Sequence, residues 1–120
     1  MISETIAQAD TVTAVRTGRS LLRSVSVKQL TEDAPKLFLQ IFNVASGSVT
    51  LGTTLPDVIV PVPAGETGRT MHGRAEFQGI HGGLDMATAI SYAVTTTATG
   101  STAPDAGDEP NVKMDWERIG

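Results

Sequence analysis

The chain of 120 residues contains no cysteine and few aromatic residues. The absence of cysteine excludes disulfide bonds, thiolate nucleophiles and cysteine-ligated zinc sites. Aromatic residues make up 4% of the sequence, so the core must be built mainly from Val, Ile, Leu, Ala and Met. No stretch approaches the roughly 20 apolar residues that a membrane-spanning helix requires. We therefore expect no cysteine-dependent site and no membrane partner.

The sequence also lacks the surplus of basic charge that nucleic-acid binding requires. Its net charge is −4, so we do not expect nucleic acid as a partner. Positive charge is instead concentrated in residues 11–28, which contain no acid. We interpret this segment as the surface that faces an acidic partner. The simpler alternative is that this basic segment and the acidic C-terminal end of the chain are two ordinary solvated surfaces. Its cations are Arg16, Arg19, Arg23 and Lys28.

The N-terminal residues do not form a secretory signal. Residues 1–10 contain neither a basic region nor an apolar stretch after it, and a signal peptide needs both. We therefore expect synthesis in a cytoplasm without export by that route.

Residues 37–42 form the most informative apolar run, Leu-Phe-Leu-Gln-Ile-Phe. Strand side chains alternate, so Leu37, Leu39 and Ile41 point to one side, and the two Phe residues to the other. A strand that is apolar on both sides is usually covered on both sides. A second sheet of the same chain can cover one side. For the other side we predict a neighbouring subunit, with Phe38 and Phe42 as the self-association residues.

Short runs of β-favouring residues recur along the chain between Gly- and Pro-rich turns. Besides residues 37–42, they are residues 11–17, 21–30, 58–60, 70–77, 90–97 and 111–117. About seven short strands in a chain of single-domain size predict an all-β fold, an antiparallel β-sandwich of jelly-roll or Ig-like topology. We assign residues 20–120 to this domain. Residues 1–19 are predicted to form a short N-terminal arm and the first strand, and to contribute to an attachment surface.

Two prolines predict where one sheet ends. Pro61 and Pro63 follow the run Val-Ile-Val at residues 58–60. Because proline has no backbone N–H, it cannot donate to a sheet ladder and is confined to edge strands or strand ends. We therefore expect this strand to lie at a sheet edge, where proline also prevents uncontrolled pairing with other chains.

Metal binding is weakly supported by the sequence. His72 and His81 are the only histidines, with Glu76 and Asp85 as nearby carboxylates, but no helical zinc motif is present. The acidic residues 105, 108 and 109 do not have the spacing of a calcium loop. We expect no metal site and no cofactor.

Catalysis has no sequence signature either. Residues 65–70, Gly-Glu-Thr-Gly-Arg-Thr, have two residues between the glycines where a phosphate loop has four. Residues 45–48, Ala-Ser-Gly-Ser, lack the first glycine of a nucleophile elbow. Tyr92 and Trp116 both occupy positions that we expect to point inward, so no aromatic platform for sugars is predicted. We expect a protein that is not an enzyme and has no catalytic residues.

The middle of the chain resembles small structural proteins of tailed-bacteriophage virions. The resemblance covers roughly residues 37–104. It depends on the loop Leu-Gly-Thr-Thr-Leu-Pro-Asp at residues 51–57, the strand end Val-Pro-Val-Pro-Ala-Gly at residues 60–65, and the Thr-, Ala-, Gly- and Ser-rich loop after Tyr92. Within that group the chain is most similar to capsid decoration, or cement, proteins.

The resemblance implies a protein on the outer surface of the capsid, made in the host cytoplasm. Its partners would be the major capsid protein and itself, as a homotrimer, and it would stabilise the head by binding across major capsid subunits. One alternative is a tail, neck or baseplate component or a module that binds the host surface. A second alternative is a small metal-binding protein or enzyme.

Overall fold

The computed structural model describes residues 2–7, 12–30, 32, 35–78, 82–102 and 110–118, the first of these ranges through its backbone only. A single turn of 3₁₀-helix covers Ser46–Ser48, and no helix in these ranges is long and apolar enough to span a membrane. The described residues form nine strands: β1 (Ile2–Ala7), β2 (Thr13–Thr17), β3 (Ser20–Lys28), β4 (Leu37–Phe42), β5 (Val58–Val62), β6 (His72–Glu76), β7 (Leu84–Met86), β8 (Ala89–Thr95) and β9 (Asn111–Arg118).

The strands pair as one long antiparallel hairpin. β4 pairs with β5, β3 with both β6 and β7, β2 with β8, and β1 with β9, so each pair encloses the one before it. The hairpin is rolled into two sheets. Sheet A has the order β1-β9-β3, with β6 and β7 sharing the far side of β3, and sheet B has the order β2-β8-β4-β5. Nested pairs wrapped into two sheets form a jelly roll.

The predicted all-β sandwich is confirmed, and the pairing selects the jelly roll over the Ig-like alternative. Each of the seven predicted runs contains a strand, and the structure adds β1 and β7. β7 has only three residues, too few for a visible alternation. β1 and β2 belong to different sheets, so the two strands described within the first 19 residues both pair inside the sandwich.

The core lies between the sheets and is mainly aliphatic, as the composition requires. Tyr92 and Trp116 are its two buried aromatic side chains, which confirms that both point inward. Burying one large apolar side chain contributes about 1.5–3 kcal/mol, so residues on the facing sides of both sheets dominate stability. The aliphatic members are Leu22, Val25, Val27, Leu37, Leu39, Ile41, Val60, Val62, Met86, Ile90, Val94, Val112 and Met114.

β5 forms one edge of sheet B, as its prolines predicted. Here the two sheets approach each other, because a Cβ atom at Gly73 of β6 would overlap the carbonyl oxygen of Pro61. Glycine at position 73 therefore permits close backbone approach between β6 and β5. This contact closes the sandwich along the edge that proline withdraws from pairing.

The outward side of sheet B is covered by two loops of the same chain, residues 43–57 and 96–102. Ser91 lies on this side and is fully buried, and its Oγ donates to the carbonyl oxygen of Val44 at 2.7 Å. Gln40 is also fully buried, and its Nε2 donates to the carbonyl oxygen of Gly100 at 3.0 Å. We call the two loops together the roof.

The roof is anchored at its base and joined at its centre. The backbone N–H of Asn43 donates to Oδ2 of Asp57 at 2.6 Å, which ties the two ends of the first loop together. The loops meet where a Cβ atom at Gly52 would lie 3.6 Å from Cβ of Ser101. Loops of the same chain therefore cover the β4 and β8 part of this face, while Ile59 of β5 remains 38% exposed.

The roof corrects the prediction made for β4. Phe42 has no exposed surface in the single chain, so it cannot contact another subunit. Phe38 is half-buried, with the Lys36 ammonium 5.2 Å from its ring centroid. The second apolar side of β4 is explained by the chain's own loops, and the two Phe residues do not form a joint self-association surface.

Candidate binding groove on sheet A

Arg16 is partly buried and packs back onto the fold. Its guanidinium carbon lies 5.7 Å from the centroid of the Trp116 ring, within the range of a cation–π contact. Its Nε donates to Oγ of Ser20, a fully buried residue, at 3.4 Å. Arg16 thus packs at one end of the core.

Arg19 and Arg23 are paired with acids far away in sequence. Nε and Nη2 of Arg19 donate to Oδ1 and Oδ2 of Asp85 of β7, at 3.2 and 2.8 Å. Arg23 donates through Nε and Nη2 to Glu117 of β9, and through Nη1 to the carbonyl oxygen of Gly82 at 3.1 Å. The hydrogen bond from Arg23 and its charge lower the pKa of the Glu117 carboxyl below its ordinary value.

The predicted basic segment is therefore not one free basic surface. The prediction missed that β7 and β9 bring acids to two of the arginines and that the third stacks on an indole. Of the four predicted cations, Lys28 alone is exposed with no acidic partner among the residues that the structure describes.

Lys28 instead borders a shallow groove on the outward side of sheet A. The groove has a volume of about 310 Å³ and crosses β9, β3 and β6. No loop of the described chain covers it as the roof covers sheet B. Its side chains belong to Ser24, Ser26, Lys28, His72, Arg74, Lys113 and Asp115.

The strand register arranges these residues in three rows across the sheet. Ser24 lies between Asp115 and Glu76, which makes the first row acidic. Ser26 lies between Lys113 and Arg74, and Lys28 lies between Asn111 and His72. The groove therefore has one acidic row, next to it the basic row of Ser26, and beyond that the basic row of Lys28.

The acidic row is partly engaged within the protein. Oγ of Ser24 donates to Oδ2 of Asp115 at 2.9 Å. Nη2 of Arg74 donates to Oε1 of Glu76 at 3.0 Å, but both side chains are more than 60% exposed, so water weakens this ion pair. Lys113, like Lys28, has no acidic partner within the described ranges. The groove therefore retains uncompensated positive charge.

The groove is suited to binding an anion. Ammonium and guanidinium groups bind carboxylate or phosphate oxygens, and the Ser26 hydroxyl can donate a further hydrogen bond. The Ser24 hydroxyl donates to the Asp115 carboxylate and not to an imidazole, so it does not form a serine–histidine pair. Within the described ranges no group of three or more His, Asp or Glu side chains could hold a metal ion.

The weaker sequence candidates that the structure describes do not form a common site. His72 lies at the end of the groove, while His81 and the acids Asp105, Asp108 and Glu109 lie outside the described residues. Glu76 and Asp85 are each paired with an arginine.

Burial raises the pKa of the Tyr92 phenol, and a side-chain interaction with Thr13 partly opposes this shift.

Sequence reasoning missed Ser26, Arg74 and Lys113 as members of one surface. Lys28, Arg74 and Lys113 each occupy an outward position of a predicted strand, which was the available signal. Which strands are neighbours is decided by pairing, and Lys113 lies 85 positions after Lys28 in the chain.

No family model matches the chain, and no curated protein or solved structure is similar to it.

Proposed function

We propose that the chain is a bacteriophage virion structural protein, specifically a capsid decoration protein that binds across neighbouring major capsid subunits and stabilises the head. The virion assignment is supported by the resemblance of residues 51–57, 60–65 and 93–104 to small phage structural proteins. An attachment role is consistent with the groove, which offers cations that bind acidic groups.

The open shape of the groove is the observation that carries the choice of a binding module. A small-molecule site usually encloses about 70–90% of its ligand's surface. A shallow groove across the face of a sheet leaves most of a small ligand in water. Such a surface fits contact with a macromolecule.

Stabilisation of the head would follow from mass action. A protein that binds the assembled shell but not its dissociated subunits lowers the free energy of the shell alone. At a free concentration about 100 times the dissociation constant, each site contributes about 2.7 kcal/mol. Many copies acting as homotrimers on the outer surface would add this contribution over the whole head.

Binding to heads tests the proposal directly. Purified protein is mixed with emptied, expanded heads of the encoding phage that lack it, and bound copies are counted after sedimentation. We expect hundreds of copies per head, a higher temperature of head disruption, and a trimer mass by light scattering. A strict monomer that does not sediment with heads would refute the proposal.

A second candidate is a tail, neck or baseplate component or a host-surface adhesion module. The roof favours it, because Leu55 in the first roof loop is 78% exposed, an unusual position for a large apolar side chain. The roof loops would then be the contact surface. Quantitative mass spectrometry of whole particles separates the candidates, since a tail or neck protein would be present in a few to a few dozen copies.

A further inference from the structure

Three long cationic side chains surround one small residue at the centre of the groove. Ser26 pairs with Lys113 on one side and with Arg74 on the other, and paired Cα atoms in antiparallel strands are about 4.5–5.5 Å apart. Lys28 is two residues further along the same strand, about 7 Å away. All three side chains are long enough to place their nitrogen atoms above the Ser26 hydroxyl.

This arrangement favours an anion above Ser26. Lys28 and Lys113 have no acidic partner among the described residues, and the Arg74 ion pair is exposed. Like charges on neighbouring positions of a sheet repel one another. A bound carboxylate would relieve this repulsion and could accept a bidentate hydrogen bond from the Arg74 guanidinium.

The neighbouring acidic row restricts the kind of anion. A polyphosphate chain that extended over the sheet would meet Asp115 and Glu76, about 7 Å from the basic row. The net charge of −4 also opposes a long polyanion. A compact acidic group that enters the groove from above avoids both, and the tip of a protein loop has this shape.

We propose that the groove around Ser26 is the docking site for an acidic loop of a partner protein, in which Lys28, Lys113 and Arg74 bind Asp or Glu carboxylates. The identification of that partner as the capsid subunit rests on the function proposed above. The docking chemistry rests on the groove alone.

A peptide titration tests the docking chemistry. Isotopically labelled protein is titrated with a short oligo-glutamate peptide while backbone amide shifts are followed by NMR. We expect shifts at residues 24–28, 72–74 and 113–115, and affinity that falls as salt is added. The double variant Lys28→Glu/Lys113→Glu should bind at least about ten-fold more weakly.

Matched variants separate the groove from general charge effects. Lys36→Glu makes the same single charge reversal as Lys28→Glu, just before β4 of the opposite sheet, and should leave peptide affinity unchanged while Lys28→Glu alone weakens it. Lys28→Gln/Lys113→Gln removes charge without reversing it, and should bind with intermediate affinity. Thermal melting of each variant verifies that the fold is retained. Wild-type affinity in Lys28→Glu/Lys113→Glu, or an equal loss in Lys36→Glu, would overturn the inference.

Alternative anions provide a further comparison. A single-stranded oligonucleotide and a sulfated oligosaccharide of the same charge as the peptide are titrated in parallel. We expect both to bind more weakly than the peptide. Tighter binding of either one would overturn the assignment to a protein loop.

Sedimentation with heads separates failure of this inference from failure of the proposed function. If the wild-type protein binds heads and Lys28→Glu/Lys113→Glu does not, the acidic loop belongs to the capsid subunit. If both bind equally, the groove is not the attachment site, although the decoration function stands. If neither binds while the peptide shifts persist, the decoration function fails and the groove remains a docking site for another partner.

Discussion

The chain covers part of one outward face of the sandwich with its own loops and leaves the other outward face open. The outward face of sheet B lies under the roof, and all seven residues of β8 are buried. The outward face of sheet A is open, and strands β3 and β9 expose Lys28 and Lys113 there. The burial of Phe42 therefore shows that an apolar residue at an outward position can be covered by a loop of the same chain, and that it does not by itself indicate a partner.

The roof is fixed by specific polar contacts as well as by burial. Gln40 donates through Nε2 to Oγ1 of Thr95 at 2.7 Å, in addition to its bond to Gly100. Oγ1 of Thr95 donates onward to the carbonyl oxygen of Thr97 at 2.7 Å. The open face has no comparable chain of buried hydrogen bonds within the described residues. Four substitutions test this contrast between the two faces.

The largest effect is expected at Phe42, beneath the roof. Phe42→Ala should lower the free energy of unfolding by about 3–5 kcal/mol, because it leaves a cavity under the loops. Urea denaturation measures this change, and Ser26→Ala on the open face should stay within about 0.5 kcal/mol of wild type. If Phe42→Ala dissociated an oligomer without destabilising the monomer, subunit packing would explain the second face of β4 after all.

The next effect is expected at the edge where the two sheets meet. Gly73→Ala places a Cβ atom against the backbone carbonyl of Pro61, which cannot rotate away, and should cost about 1–3 kcal/mol. Gly47→Ala is the control, since no atom lies within 4 Å of the added Cβ and the backbone there does not need glycine. Equal melting temperatures for the two variants would mean that the sheets do not approach closely at this edge.

A smaller effect is expected when the polar latch of the roof is removed. Gln40→Ala deprives the Gly100 carbonyl of its donor and should cost about 1–2 kcal/mol. Hydrogen exchange should accelerate at the amide of Thr96, which donates to the carbonyl oxygen of Thr102 and closes the second loop. Unchanged exchange there, together with unchanged stability, would show that the roof does not depend on Gln40.

The smallest effect concerns the ion pair at the border of the open face. The folded-state pKa of Glu117 is lowered by Arg23, so this pair stabilises the fold above the ordinary pKa of a glutamate. Its contribution is lost as the pH falls through the lowered pKa. Melting temperatures of the wild type and of Glu117→Gln should therefore converge in acid, and a constant difference at every pH would contradict the pairing.

The sequence was informative about single strands and uninformative about their neighbours. Alternation placed Tyr92 and Trp116 inside, and the missing N–H of Pro61 placed β5 at an edge; both predictions are confirmed. Alternation along one strand does not specify which strand lies beside it. The pairing of Arg23 with Glu117, and the meeting of Lys28 with Lys113, depend on that unspecified register.

The roof could not be predicted for a different physical reason. Residues 43–57 and 96–102 are rich in Gly, Ser and Thr, as exposed turns are, and their composition does not indicate packing onto a sheet. The one sign in the sequence was the presence of polar residues, Gln40 and Thr95, at outward positions of two otherwise apolar strands. A buried amide needs hydrogen-bond partners, and here the loop backbone accepts from Nε2 of Gln40, while Oε1 has no partner among the described residues.

The nested pairing of strands has a kinetic consequence. Closing β4 on β5 needs the shortest loop, and each closed pair brings the strands of the next pair together at a smaller entropic cost. Folding should therefore proceed outward from the β4–β5 turn, with β1 joining β9 last. Because most contacts join distant parts of the chain, folding on a timescale of about milliseconds to seconds is expected. Until β1 is in place, β9 is the open edge strand of sheet A; the final step of folding pairs β9 on both sides and passes the edge position to β1.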